Sequence, residues 1–247
     1  YEIPKRDRSS DVCSSDLAES LCRAVLVTGP GSQGRDAWAS ALLIRILCAQ
    51  ERFDEAARVE CAPTEAARDE LDPQLNAAID ATAASLSIER GDFFRAGLGI
   101  QRLLADTASC SDVVARAVAL TAHLRLLAAI GDLAAAEERL QSITNLVRAA
   151  HAPLRAADAL IVWYDALHRA GRIQEARRVL TRLGRLRRVV PRVLGAAIDR
   201  RLKSAQRGEG GVTRAEVRAS VTAHSAVAVD LIQIGRAHVC TPVTFRN

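Results

Sequence analysis

The 247-residue chain has no methionine, only two lysines (Lys5 and Lys203), and few aromatic residues, with Phe 4, Trp 2 and Tyr 2. So few stacking side chains leave no basic stretch interleaved with aromatics, the pattern that single-stranded nucleic acid grooves use. No uninterrupted apolar run reaches eighteen residues, and the N-terminus lacks a basic, apolar and small-residue leader. Neither a membrane span nor an export signal is therefore expected. CxxC and HExxH patterns are missing, and no Ser or Cys nucleophile stands in a suggestive arrangement with a His and a carboxylate. That removes the usual signatures of zinc sites and hydrolases. His123, His151 and His168 are isolated and read as packing or surface residues. The expectation is a non-enzyme with no catalytic residue, no cofactor and no metal. What is present is 49% apolar and 26% charged content, enough to bury a core.

The two ends differ from the middle. Residues 1–17 show neither helical nor strand periodicity and resemble a translated sequencing-library adapter, and residues 234–247 resemble the translation of its opposite strand. Both are read as scars. Residues 18 to about 233 are then expected to be an internal piece of a longer protein. Setting aside Cys13 and Cys240 leaves Cys22, Cys48, Cys61 and Cys110 scattered along helical patterns. Such cysteines are most often small buried apolar residues of a reducing compartment, so a cytoplasmic location is expected.

Between the ends one pattern recurs at a fixed interval of forty residues. Gly91-Asp92-Phe93 with Ala96, Gly131-Asp132-Leu133 with Ala136, and Gly171-Arg172-Ile173 with Ala176 are its clear copies, and Glu51-Arg52-Phe53 with Ala56 is a weaker one. The glycine takes the positive φ that ends a helix, the apolar residue two positions on packs back beneath the turn, and the alanine marks a close helix contact. Helical patterns flank each turn. Asp36 to Ala49 precedes position 51; Asp72-Pro73 opens a helix to about Arg90; Ser111-Asp112 opens the third pair and His151-Ala152-Pro153 the fourth. Residues 18–28 read as the second helix of a truncated pair, and Pro191 to Ala205 as a further helix. Gly208-Glu209-Gly210-Gly211 breaks the repetition over 208–212, after which Thr213 and Glu216 form a capping box for a helix over 213–233.

The Gly-x-aliphatic/aromatic-x-x-Ala turn resembles that of the tetratricopeptide-repeat superfamily, in the longer, divergent form found in solenoid sensor segments of large bacterial transcription regulators. This resemblance implies an all-α, right-handed α-solenoid of antiparallel helix pairs over residues 18–207, with repeat turns at 51, 91, 131 and 171. It implies recognition of a protein or peptide partner, or of another domain of the same chain, by a groove lined with first-helix residues such as Arg45, Thr121, Arg125, Asp165 and His168. The implied biology is a scaffold or sensor segment of a larger cytoplasmic bacterial regulator with no membrane association, and the runs Arg182 to Leu202 and Thr213 to Gln233 resemble the junction between repeats and output domain in sigma-54-type activators.

Two stretches support alternatives. Gly29 to Asp36 has the glycine spacing of a phosphate loop after a candidate strand at Ala24 to Val27, which would make the chain a fragment of a signalling ATPase; Arg35 and Asp36 stand where Lys and a hydroxyl are needed. Residues 169–207 hold thirteen basic against two acidic residues, a local +11 in a chain of +5. This basic patch, with Arg177, Arg178, Arg182, Arg185, Arg187, Arg188 and Arg192, could attract nucleic acid or an acidic protein surface.

Overall fold

The structure, a computed structural model, describes residues 9–27, 33–50, 52–59, 68, 71–190, 195, 198–199, 201–203 and 205. Among these residues every regular element is helical: α1 (Ser9–Val27), α2 (Gln33–Ala49), α3 (Phe53–Arg58), α4 (Pro73–Glu89), α5 (Phe93–Ala108), α6 (Val113–Ile130), α7 (Leu133–Ala149), α8 (Pro153–Arg169) and α9 (Ile173–Leu186). The protein is all-α. Gly195, Ile198, Asp199, residues 201–203 and Ala205 are also helical, within the stretch expected to extend the array. The weaker turn's Glu51, Cys61, Arg192, the break at 208–212, the helix at 213–233 and the tail lie outside the described residues.

Helix starts follow from short acidic caps. The Asp72 carboxylate accepts from the Leu75 N–H at 2.8 Å ahead of Pro73, and Asp112 accepts from Val114 and Ala115 at 2.7 and 3.0 Å. Asp92 and Asp132 repeat the device at Arg95 and Ala135, each at 3.0 Å. Each satisfies an N–H that the first helical turn leaves unpaired. In the other two copies an arginine replaces the aspartate and cannot accept such a bond. There Arg52 clamps Glu55 at 2.7 and 2.6 Å, and Arg172 clamps Glu175 at 2.6 and 2.5 Å. Hydrogen bonds from these guanidinium groups hold both glutamates below the usual carboxylate range, which keeps a negative charge in the first turn of α3 and of α9.

Helix ends follow from the left-handed residue. Gly91, Gly131 and Gly171 have φ of +77°, +84° and +74°, and the next N–H in each case reaches back five residues: Asp92 to Ser87 O, Asp132 to Leu127 O, and Arg172 to Leu167 O, at 2.9–3.0 Å. A Cβ at these glycines would meet nothing within 4 Å, so the torsion alone demands glycine, not the space. Arg52 N–H makes the same bond to Leu47 O at 2.9 Å, which gives the copy without glycine the same closure. His151, at φ 50°, occupies this place at the end of α7.

Packing follows a regular scheme. The first helices α2, α4, α6 and α8 pack successively on one another; α3, α5, α7 and α9 each pack on the first helix of their own pair, and α3, α5 and α7 also on the next. The preceding α1 lies against α2. At the closest approach within each pair sit Ala56, Ala96, Ala136 and Ala176, none more than 1% exposed. Leucine at position 136 has no room there, and Ala136→Leu is expected to cost about 1–3 kcal/mol through overpacking. An unchanged denaturation midpoint would contradict this register.

Several expectations are corrected. The apolar residue after the turn is only partly covered: Leu133 is half-buried, while Phe93 and Ile173 are 41% and 37% exposed. It is the alanine, three residues later, that faces the partner helix. The helix α1 begins at Ser9, inside the segment read as aperiodic, because Ser, Asp and small residues at low helix propensity are carried by continuity with the apolar turns that follow. The candidate strand Ala24 to Val27 is the last turn of α1, and Gly34 to Asp36 lie in α2, so the strand that must precede a phosphate loop is missing. Finally, α6 is long and apolar enough to cross a membrane by length and composition. Half of that span is buried against α4, α5, α7 and α8, the situation of a core helix, and Arg116, His123 and Arg125 interrupt it.

Candidate functional site

The forty-residue register places Arg45, Ser85, Arg125 and Asp165 at equivalent positions on α2, α4, α6 and α8. Three of these four make a polar row, and the fourth is withdrawn from it. Arg125 Nη1 donates to Ser85 Oγ at 3.1 Å, and that hydroxyl donates to Ala81 O at 2.7 Å, so a rigid helix backbone fixes the guanidinium orientation. Arg45 is half-buried, and burial pushes its guanidinium down to about 10; Asp158 opposes this shift while Arg125 and Arg155 add to it. Arg155 in turn donates to Asp158 at 3.4 Å, with the carboxylate largely covered.

Asp165 is different. Its carboxylate accepts from Arg201 Nε at 3.0 Å and from Arg201 Nη2 at 2.7 Å, and the two side chains are 7% and 2% exposed. A bidentate, desolvated pair of this kind is a structural joint between α8 and the C-terminal residues, not a surface offered to a ligand. It also takes Arg201 out of the basic segment. Thr121 is half-buried and spends its hydroxyl on Ala117 O at 2.7 Å within its own helix. His168 is half-exposed, with its ring 5.8 Å from that of Tyr164. Of the five groove candidates, then, Arg45 and Arg125 keep equivalent places on α2 and α6, on either side of Ser85 in the register.

Arg155, Asp158 and Ser85 were not singled out from the sequence. Ser85 was within reach, because it stands forty residues before Arg125. Arg155 and Asp158 stand outside that register and pair with one another three residues apart on α8.

On α9, Ala176, Val179, Leu180 and Leu183 face the core, which turns Arg177, Arg178, Arg182 and Arg185 to solvent. Arg188 is exposed as well, while Arg187 is paired with Asp199 and Arg172 with Glu175. Both acids of the stretch are already counted in its +11, so only the pairing of Arg201 with Asp165 lowers that charge, by one.

A second buried polar spot lies between α6 and α7, where His123 Nδ1 and Arg139 Nε have no hydrogen-bond partner among the described residues. Burial, and then the Arg139 charge, push the His123 imidazole below its ordinary value of 6.5. A histidine whose folded value is depressed binds a proton more readily when unfolded, so stability falls as pH drops through about 6.5 towards the folded value. The wild-type chain should lose more stability than His123→Gln between pH 7.5 and 5.5, by urea midpoints. Parallel pH profiles would exclude His123 as the source.

Burial raises the thiols of Cys22 and Cys48 to about 11 and 12, which makes both inert packing groups. No cluster of three or more His, Cys, Asp or Glu side chains that could hold a metal occurs among the described residues. Comparisons with protein families, with curated proteins and with solved structures find no match, so the polar row of the first helices stands as the candidate site on its own geometry.

Proposed function

We propose that the chain is a right-handed, tetratricopeptide-like α-solenoid that recognises a protein or peptide partner, as the scaffold or sensor segment of a cytoplasmic bacterial regulator. The observation that carries this reading is the polar row itself: equivalent positions on successive first helices bear Arg45, Ser85 and Arg125, side chains that contribute little to a core and suit a lining that meets a ligand. The sequential packing of first helices on one another and of second helices on their neighbours supports the solenoid. The resemblance of the turns to the repeats in solenoid sensor segments of large bacterial transcription regulators supports the regulatory setting.

Selection of a displayed random-peptide library on the full chain tests the reading. Peptides should be enriched on the wild type and lost on Arg125→Glu, whose reversed charge sits in the middle of the row. Equal enrichment on both, or none on either, would remove the first-helix face as the binding surface.

The exposed arginines of α9 favour a second reading, in which an acidic surface or nucleic acid docks on Arg177, Arg178, Arg182 and Arg185. Retardation of a short duplex at low salt, relieved as salt rises, would support it.

A further inference from the structure

The solvent side of α9 is dominated by arginine. Ala176, Val179, Leu180 and Leu183 are buried, and they fix which way the helix faces. At about 3.6 residues per turn, Arg177, Arg178, Arg182 and Arg185 then share an outward arc of about 140°. The other side chains of α9 in that arc are Gln174 and Thr181, both exposed and uncharged. Among the described residues none of the four arginines is in an ion pair. Glu175 lies at the edge of the arc, where Arg172 holds its carboxylate at 2.6 and 2.5 Å. Like charges four residues apart, as in Arg178 and Arg182, weaken a helix, so the run does not serve the helix itself.

We propose that this face of α9 docks on the phosphate backbone of a nucleic-acid duplex, without reading its sequence. This deepens the second reading above and rests on it, choosing the phosphate backbone over an acidic protein. Guanidinium groups present planar forks of N–H donors that match phosphate edges, which the point charge of lysine does not. At a rise of about 1.5 Å per residue, Arg177 to Arg185 spans about 12 Å. A duplex carries one charge per about 1.7 Å of its axis, or about seven over that length, more than the face has arginines in any register. Other polyanionic partners fit less well. A single strand is held by aromatic stacking, and α9 has no aromatic residue. A protein interface is anchored by aromatic or other large side chains in desolvated pockets, and the exposed apolar residues here, Ile173 and Val189, stand before and after the arginine run. An anionic membrane surface holds a helix by its apolar side, and that side of α9 is already buried in the core.

Fluorescence anisotropy of the full chain with a labelled short duplex, repeated over a series of sodium chloride concentrations, tests it. The expected result is equal affinity for two duplexes of unrelated sequence, with log K falling against log salt at a slope of about −4, roughly one for each arginine. Arg178→Gln with Arg182→Gln should weaken binding at least tenfold at low salt and make the slope shallower by about two. Arg95→Gln with Arg102→Gln, exposed on α5, should change neither. All four positions face solvent, so neither double variant disturbs the packing. An unchanged Kd and slope in the α9 variant would put the contact elsewhere on the chain and overturn the proposal. Tighter binding to one strand of the same duplex, or no binding at low salt, would overturn it too. Polyglutamate, titrated in parallel, tells the failures apart. If it binds through Arg178 and Arg182 while the duplex does not, the face takes an acidic protein and the second reading stands; if neither binds, both fall.

Discussion

Asp165→Ala should lower the stability of the chain by about 3–5 kcal/mol, the cost of leaving a buried guanidinium without its partner. The carboxylate lies inside the core of α8, where every side chain from Leu160 to Leu167 is buried, and Arg201 meets it with two hydrogen bonds at 3.0 and 2.7 Å. Removing the carboxylate does not return Arg201 to water, because Ile198, Leu202 and Ala205 pack into the same cluster around it. Urea denaturation of the single variant and of Asp165→Leu with Arg201→Leu separates the two components of the effect. The double variant should recover most of the loss, since a well-packed apolar pair avoids the desolvation that the ion pair suffers. A single variant that loses less than about 1 kcal/mol, the range of an exposed pair, would show that water reaches the joint.

This joint also explains what the sequence could not disclose. The turns were legible because each is a local event: a left-handed glycine, an acidic cap two or more residues before the N–H it serves, and an alanine at the contact all act within a few residues. Gly91, Gly131, Gly171 and the alanines at 96, 136 and 176 therefore took their expected roles. Asp165 and Arg201 are 36 residues apart and on separate elements. A local charge count places Arg201 among surface arginines and Asp165 just outside the counted stretch. Only the stacking of the C-terminal residues on α8 brings them together. Phe93 and Ile173 failed for another reason. A motif position tolerates an apolar residue without burying it, and the first helix of the pair covers the alanine instead.

Leu124→Ala tests the stack at its centre and should cost about 2–5 kcal/mol, the range for truncating a fully buried leucine. Leu124 is 0% exposed in α6, the helix that packs against α4, α5, α7 and α8 and so ties the second pair to the fourth. Loss of its isopropyl group removes buried apolar area and leaves a void that two tightly packed layers cannot close. The location has a second consequence. In an array where each pair touches chiefly its neighbours, damage at the centre weakens the coupling between the two halves as well as the total stability. Hydrogen exchange should therefore show protection falling in α6 and α8 together, while α2, two helices away, keeps more of its own. Uniform loss of protection from α2 to α9 would mean that the helices unfold as one block and not as a stack of pairs. The cores assign α2 a separate cluster of Leu42, Ile44 and Leu47 packed with Ile79, while Leu124 belongs to the cluster of α8, and that division sets the expected order of opening.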